Sequence, residues 1–495
     1  MLYYFSSLKN KKIFELNVQK TFFLLLLIFI IRVLSILNSP LGLSVDEAQY
    51  WDWSNNIEFG YFSKPPLIAW LIAFSTYFFG IAEWSIRLSS PIIHFLIATL
   101  IWFISKNIYN IKVANFVTLI WATLPLTSFG SLIISTDTPL LLFWCMSLFT
   151  LLKTLDSDKI IWPISLGISI GLGFLTKYAA IYFVIILIFL IIFNKRFKKN
   201  IFKFILTIFI SLLVCIPNIY WNYVNELSTF NHTVYNANLN VISLNYFEPI
   251  KFIVSQLIIC GPIILISYLL KLLKFKSYDK NEFLLICFSL PILILIIIQA
   301  FLKTSNANWA ATAFPGIVIL IGSFIYTQKN KIILVGIKLN LLFNIGIFCL
   351  LIKTFITGNL NLINLKSDPL RKLKGYPEQG NSINNLIEMH KPIALLFTRR
   401  NDIAKFSYYL KINSKNIKKY YLTLRENPIN HYEYFYDFRT HSLKKGDLIL
   451  LINSYNGINP KFLKYFDKLN TIKIINYNFN KNKRRTYYII KGIIK

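Results

Sequence analysis

The chain has 495 residues, 55% of them hydrophobic, with a mean hydropathy of +0.53. That is too apolar for a soluble globular protein of this length. Its 53 lysines and arginines against 22 acidic residues give a formal charge of +31, but the cations are scattered through short loops rather than gathered on one soluble face, which argues against a nucleic-acid partner.

A membrane span needs about 20 mainly apolar residues. Such runs predict eleven spans, near residues 20–38, 84–105, 113–131, 137–153, 160–176, 178–194, 202–220, 251–270, 282–302, 309–327 and 332–357. The first run follows Lys9, Lys11, Lys12 and Lys20 and has no Ala-x-Ala cleavage site, as expected of an uncleaved anchor rather than a signal peptide. Between the first two spans lie two polar stretches, Ser44-Val-Asp-Glu-Ala-Gln-Tyr-Trp51 and Gly60-Tyr-Phe-Ser-Lys-Pro-Pro66. The run Leu67 to Phe79 after them is short for a span and reads as a helix in the membrane interface. The loops holding Lys195, Arg196, Lys198 and Lys199, then Lys271, Lys274, Lys276 and Lys280, then Lys329 and Lys331, all fall on the side of the basic N-terminus. Loop 221–250 has no Lys or Arg. Positive loops stay cytoplasmic, so this pattern turns Asp46, Asp137, loop 221–250, the Lys303–Trp309 loop and the C-terminal region outward.

Beyond residue 357 the membrane pattern stops. Runs 393–397, 448–452 and 487–490 read as strands, and 402–410 and 460–469 as helices. The expected organisation is a membrane region over 1–357 and a soluble α/β domain over 358–495. The five cysteines, Cys145, Cys215, Cys260, Cys287 and Cys349, lie in apolar runs without a CxxC spacing, so no disulfide frame or thiolate metal site is expected. There is no glycine-rich nucleotide motif. Carboxylates at the site would suit Mg²⁺ or Mn²⁺, although no ligand spacing demands a metal.

Charge at a bilayer edge usually faces a cavity or a substrate. Asp46 and Glu47, with Asp137, Lys64 and Arg87, map to the outer headgroup level. That is where a lipid-linked phosphate would sit, with a carboxylate to orient or deprotonate an acceptor and cations for the departing phosphate. Each residue also has a plainer reading. Asp46 suits a helix cap; Asp137, two residues before Pro139, suits a helix start. Lys64 suits a snorkelling contact, and Glu83 with Arg87 a local ion pair four residues apart. Lys177 and Lys303 read as interfacial anchors, and His232 as a lone histidine in a polar loop. Trp51, Trp53, Trp70, Trp84 and Trp309 read first as an interfacial belt, and secondly as platforms for a sugar.

These motifs, followed by Glu83-Trp-Ser-Ile-Arg-Leu88, Ser135-Thr-Asp-Thr-Pro-Leu140, Gly171-Leu-Gly-Phe-Leu-Thr-Lys-Tyr178, Asn306-Ala-Asn-Trp309 and Asp368-Pro-Leu-Arg-Lys-Leu-Lys-Gly375, resemble the bacterial GT-C glycosyltransferases. The likeness is to the family 39-like enzymes, which include lipid A aminoarabinose transferases and protein O-mannosyltransferases. The resemblance implies an α-helical polytopic GT-C core of about eleven transmembrane helices plus interfacial helices, with a C-terminal soluble α/β domain. It also implies an inverting glycosyltransferase of the bacterial inner membrane, with its active site in the periplasm. The partners it implies are a polyprenyl-phosphate-linked sugar donor, a lipid or glycolipid acceptor such as lipid A, and membrane lipids. By resemblance Asp46 is the catalytic aspartate, with Glu47 beside it, and Asp137 is the second acidic residue. Tyr50 lies near the donor, and Tyr61 and Lys64 form a Tyr-x-x-Lys element whose lysine contacts the donor phosphate. Glu83 and Arg87 match the family's acidic and basic positions at the next helix, and His232 and Trp309 are added to them as substrate-binding candidates. The chain departs from aminoarabinose transferases in having no arginine in loop 221–250 and no tyrosine near Trp309. A protein acceptor, or a lipid flippase without bond chemistry, is the alternative reading.

Overall fold

The computed structural model describes residues 17–237, 244–273, 278–326, 330–360, 368–410, 412, 417–440, 443–480 and 483–495. Lys9, Lys11, Lys12, Lys274, Lys276 and Lys329, on which part of the charge topology rests, lie outside the described residues.

Every predicted span has a helical counterpart. Among the described residues, seven helices are long and apolar enough to cross a membrane: Val18–Leu37, Glu83–Ile108, Asp137–Asp156, Ile201–Val224, Lys280–Leu302, Ala307–Tyr326 and Lys331–Thr357. The expected span 251–270 is instead a broken pair, Phe247–Cys260 and Pro262–Leu272, bent by 108°. Gly261 adopts φ +92° at the break and Pro262 opens the next helix, a sequence in which glycine ends one helix and proline begins another. A backbone group freed inside a membrane needs a partner. Here the Ile263 N–H donates to Asn340 Oδ1 at 3.1 Å, and a Cβ on Gly261 would come within 2.5 Å of the same amide.

Three other expected spans are shorter helices, Ile111–Thr123, Ile161–Thr176 and Tyr178–Phe193. The expected run 113–131 is cut at Leu124, which is extended ahead of Pro125, and a six-residue helix, Pro125–Gly130, follows. Proline disfavours helical backbone in the residue before it. Leu67–Phe79 is a 13-residue helix, matching the short element expected there.

The chain packs as two units. The first comprises residues 1–37, 87–220 and 237–353 and is helical. The second gathers 38–86, 221–236 and 354–495, so the segment after the first span packs with the C-terminal region, a grouping that hydropathy does not report. Its sheet has the order β2-β1-β3-β5-β4, with β1 Ala394–Phe397, β2 Lys418–Tyr421, β3 Leu448–Asn453, β4 Phe466–Asn480 and β5 Lys483–Ile494. β1 lies parallel to β2 and β3, and β5 antiparallel to β3 and β4. The expected strands at 393–397, 448–452 and 487–490 and the helix at 402–410 are present, the latter as Arg400–Tyr409. The expected helix 460–469 is corrected: a 3₁₀ turn, Pro460–Tyr465, passes directly into β4, because Phe466 and Leu469 pack into the sheet's apolar core with Ile449, Leu451 and Ile490.

The early segment is fixed to this domain by polar contacts. The Gly42 N–H donates to Leu373 O at 2.9 Å and the Leu43 N–H to Tyr409 Oη at 2.9 Å. Trp51 meets Tyr408 edge-on at 4.9 Å. Deepest is a buried ion pair, Lys419 Nζ to Asp52 Oδ1. Tyr432 Oη donates to Asp52 Oδ2 at 3.1 Å, and Lys419 Nζ also donates to Ser407 Oγ at 3.1 Å. Removing one partner of such a pair strands a buried charge and costs about 3–5 kcal/mol. K419M is therefore expected to lower the Tm of the purified protein by several degrees, and K419M with D52N to recover part of that loss. A double variant no more stable than K419M would refute this account.

Candidate functional site

The site in the second unit is built on the short helix Val45–Ser54. Ser44 is its N-cap: its Oγ accepts from the Glu47 N–H at 3.2 Å, and Glu47 Oε2 accepts from the Ser44 N–H at 2.8 Å. This reciprocal capping box uses Glu47, which is 1% exposed, to start the helix. Ser44, not Asp46, is thus the cap. The Asp46 side chain is 62% exposed and is the outward carboxylate of the pair.

Asp46 is met by a residue the sequence reading did not single out. Arg400, the first residue of the helix Arg400–Tyr409, places Nη2 2.6 Å from Asp46 Oδ1 and Nε 2.7 Å from Gln49 Oε1. Asp46 and Gln49 are three residues apart and share a helical face, so one guanidinium spans both.

Lys64 sits at the end of a tight turn in which Tyr61 and Lys64 exchange backbone hydrogen bonds of 3.0 and 3.3 Å. Tyr61 holds that turn in place. It is buried, its ring stacks on Trp53 at 4.7 Å, and its hydroxyl donates to Asn56 O at 2.8 Å. Thr229 Oγ1 donates to Tyr61 O at 2.7 Å. Burial pushes the Tyr61 phenol well above its ordinary value. Tyr50 is also buried, 5.3 Å from the Trp53 ring. Trp51 and Trp53 are buried too, which corrects both sequence readings of them: they form neither an interfacial belt nor an open sugar platform.

His232, on the helix Ser228–Ala237, packs against Phe62 at 5.4 Å. Burial lowers its pKa to about 4, with Lys64 and Arg400 adding to the shift. The two cations therefore act on one neutral imidazole. His431, fully buried and 5.4 Å from Trp53, is held well below its ordinary value by burial, then by Lys419 and Arg400. Glu83 and Arg87 begin and end a five-residue helix, Glu83 half-buried and Arg87 fully buried.

In the first unit, Asp137 opens the helix Asp137–Asp156, a position where a carboxylate favours the helix dipole. Its two oxygens are occupied by Lys177 Nζ at 2.7 Å and Asn308 Nδ2 at 2.5 Å. Lys177, expected as an interfacial anchor, is instead the ion-pair partner of Asp137, set on extended backbone at the break after Ile161–Thr176. Trp309 is half-buried in the 3₁₀ segment Ala307–Ala313, directly after Asn308. Among the described residues, no group of three or more His, Cys, Asp or Glu side chains is arranged to hold a metal ion.

Comparison with known proteins gives four likenesses. Residues 63–221 match the family model described as dolichyl-phosphate-mannose-protein mannosyltransferase. The lipid A galacturonosyltransferase RgtD of Rhizobium johnstonii is 31% identical over 311 residues, covering 62% of this chain and 64% of the relative. The chain thus matches just under two thirds of that relative's length. Among solved structures, ArnT from Cupriavidus metallidurans bound to undecaprenyl phosphate superposes with a TM-score of 0.69 at 12% identity, over 96% of this chain and 98% of that one. The archaeal oligosaccharyltransferase AglB from Archaeoglobus fulgidus gives 0.53 at 11% identity, over 80% and 64%. The chain has the fold of these membrane proteins, as the GT-C resemblance in its sequence implies.

The neutral histidines set a pH dependence. His232 binds its proton at about 4 when folded and near 6.5 when not, so between these values the unfolded chain holds more protons and stability falls as pH drops; His431 acts in the same direction. The Tm of the purified protein is expected to fall between pH 6.5 and 4.5, and H232N to lessen that fall. An unaltered slope in H232N would remove the case for a buried imidazole beside two cations.

Proposed function

We propose that this chain transfers a glycosyl unit, with inversion, from a polyprenyl-phosphate carrier to lipid A at the outer face of a bacterial inner membrane. The observation that carries this reading is the exposed Asp46 carboxylate gripped by Arg400, with Lys64 and Arg400 both acting on the same imidazole. The fold shared with an undecaprenyl-phosphate-bound protein supports the carrier. The relative's name supports lipid A as acceptor and galacturonic acid as the sugar.

In this reaction an acceptor oxygen attacks the anomeric carbon as the bond from that carbon to the phosphate oxygen breaks. The electron pair leaves on the carrier phosphate. Lys64 and Arg400 supply the fixed positive charge that this leaving group requires. Arg400 fills a role that the resemblance gives to an arginine in loop 221–250, where this chain has none. As Arg400 turns from Asp46 to the phosphate, the carboxylate becomes available. With a hydroxyl acceptor, Asp46 takes the proton; with a phosphate acceptor the nucleophile is already ionised, and Asp46 orients the sugar. Asp137, paired with Lys177 and Asn308 in the helical unit, is proposed as a second acidic residue needed for transfer. The match of residues 63–221 to protein mannosyltransferases keeps a protein acceptor as the second reading.

The test is a reconstituted assay with polyprenyl-phosphate-linked galacturonic acid and lipid A, read by mass spectrometry. D46N is expected to lower kcat by about 10²-fold or more, and K64M and R400Q to raise the donor KM and slow turnover, on the order of 10²-fold in kcat/KM. R400K, which keeps the charge but loses the fork, should fall between. A folded D46N that transfers at the normal rate would remove Asp46 from the chemistry. Product formed on protein but never on lipid A would replace the proposed acceptor.

A further inference from the structure

One end of the helical unit carries a cavity of about 420 Å³. It lies where the helix Tyr178–Phe193 ends, the helical turn Lys195–Lys198 follows, and the helix Lys280–Cys287 begins. Its lining is of two kinds. Leu190, Phe197 and Leu284 give apolar walls, and Lys195, Lys199 and Lys280 give charge.

The surroundings of the cavity are already bonded and hold it open. Asn194 caps the turn by accepting from the Arg196 N–H at 2.9 Å, and the buried Phe197 stacks on Phe204 at 5.3 Å. Arg196, also on the lining, pairs with Asp156 and donates to Asn281 at 3.2 Å. Asp279 caps the facing helix through the N–H groups of Asn281 and Glu282, and Glu282 is itself paired with Lys271 at 2.8 Å. Among the described residues, Lys195, Lys199 and Lys280 have no carboxylate within ion-pair distance. Three cations thus converge on a cavity with greasy walls, to which the exposed Phe283 also belongs, and nearby Phe193 extends exposed apolar surface beyond it.

We infer that this cavity is a binding site for the phosphodiester headgroup of an anionic phospholipid, phosphatidylglycerol or cardiolipin. Basic pockets between membrane helices on the cytoplasmic side take such headgroups, and the charge pattern of the loops places this end in the cytoplasmic leaflet. The apolar walls favour a ligand that brings its own hydrocarbon: glycerol and the first acyl carbons lie along Leu190 and Leu284 while the phosphate meets the lysines. A small hydrated anion would gain only half of this surface. The inference is independent of the proposed transferase activity, since none of its residues belongs to that site.

The test uses the full-length purified chain in nanodiscs of phosphatidylcholine alone, of phosphatidylcholine with phosphatidylglycerol, and of phosphatidylcholine with cardiolipin. Thermal unfolding and native mass spectrometry of retained lipid are the readouts. The wild-type protein is expected to retain anionic lipid over phosphatidylcholine by on the order of fivefold for each lysine engaged, with a raised Tm. The variant K195Q/K199Q/K280Q should lose that preference. A charge-matched variant of the C-terminal domain, K461Q/K468Q/K473Q, should keep it. Equal retention of anionic and zwitterionic lipid by the wild-type chain, or an unchanged preference in K195Q/K199Q/K280Q, overturns the inference. So does loss of the preference in both triple variants, which would make it an effect of net charge. If millimolar inorganic phosphate reproduces the Tm shift in phosphatidylcholine discs, the ligand is a free anion and the lipid assignment falls.

Discussion

Two carboxylates on one ten-residue helix, Asp46 and Asp52, meet two cations from far along the chain, Arg400 and Lys419. The rest of the candidate site depends on this double pairing. The inner pair is dry, with both Asp52 oxygens occupied, and such pairs are valued for the register they impose more than for net stability. With Asp52 fixed against Lys419 and Tyr432, the orientation of the helix is fixed as well, and Asp46 is carried to the surface where Arg400 meets it. The inner pair therefore positions the helix, and the outer pair lies exposed. An exposed pair contributes little to stability, so Asp46 and Arg400 separate at small cost.

The aromatic residues around this helix set its electrostatics. Trp53, Tyr61, Phe62 and His431 exclude water from one side. Desolvation keeps both histidines neutral, and Lys64, Arg400 and Lys419 reinforce the effect.

The sequence made much of this readable. The membrane-length runs locate all the helical spans, because burial in lipid requires continuous apolar chain. Asp46, Lys64 and Asp137 stand out because ionisable groups at a bilayer edge are rare. Arg400 and Lys419 did not stand out. They sit in a soluble region where cations are ordinary, and their partners are more than 350 residues earlier; no local period or spacing encodes such a contact. Lys177 was visible only as part of a motif, because a lysine at a helix break usually snorkels. Glu47 looked like chemistry beside Asp46 and is a capping residue, although the Ser-x-x-Glu spacing that announces a capping box is present at Ser44 and Glu47. β4 was hidden by the proline before it, which reads as a helix start, whereas its stretch through Ile474, Ile475 and Tyr477 is fixed as strand by pairing with β5.

The sharp bend at Gly261 and Pro262 bears on how the protein is made. Its freed amide is answered by Asn340, 77 residues downstream. On the ribosome the first half of the hairpin emerges long before that answer exists, so the bent pair acquires its partner only after the Lys331–Thr357 helix has been synthesised. The same order holds at the other unit, where the helix bearing Asp46 is translated early and Arg400 late. Nascent fragments carry the Asp46 carboxylate without the arginine that pairs with it, and that pair forms only with the final quarter of the polypeptide.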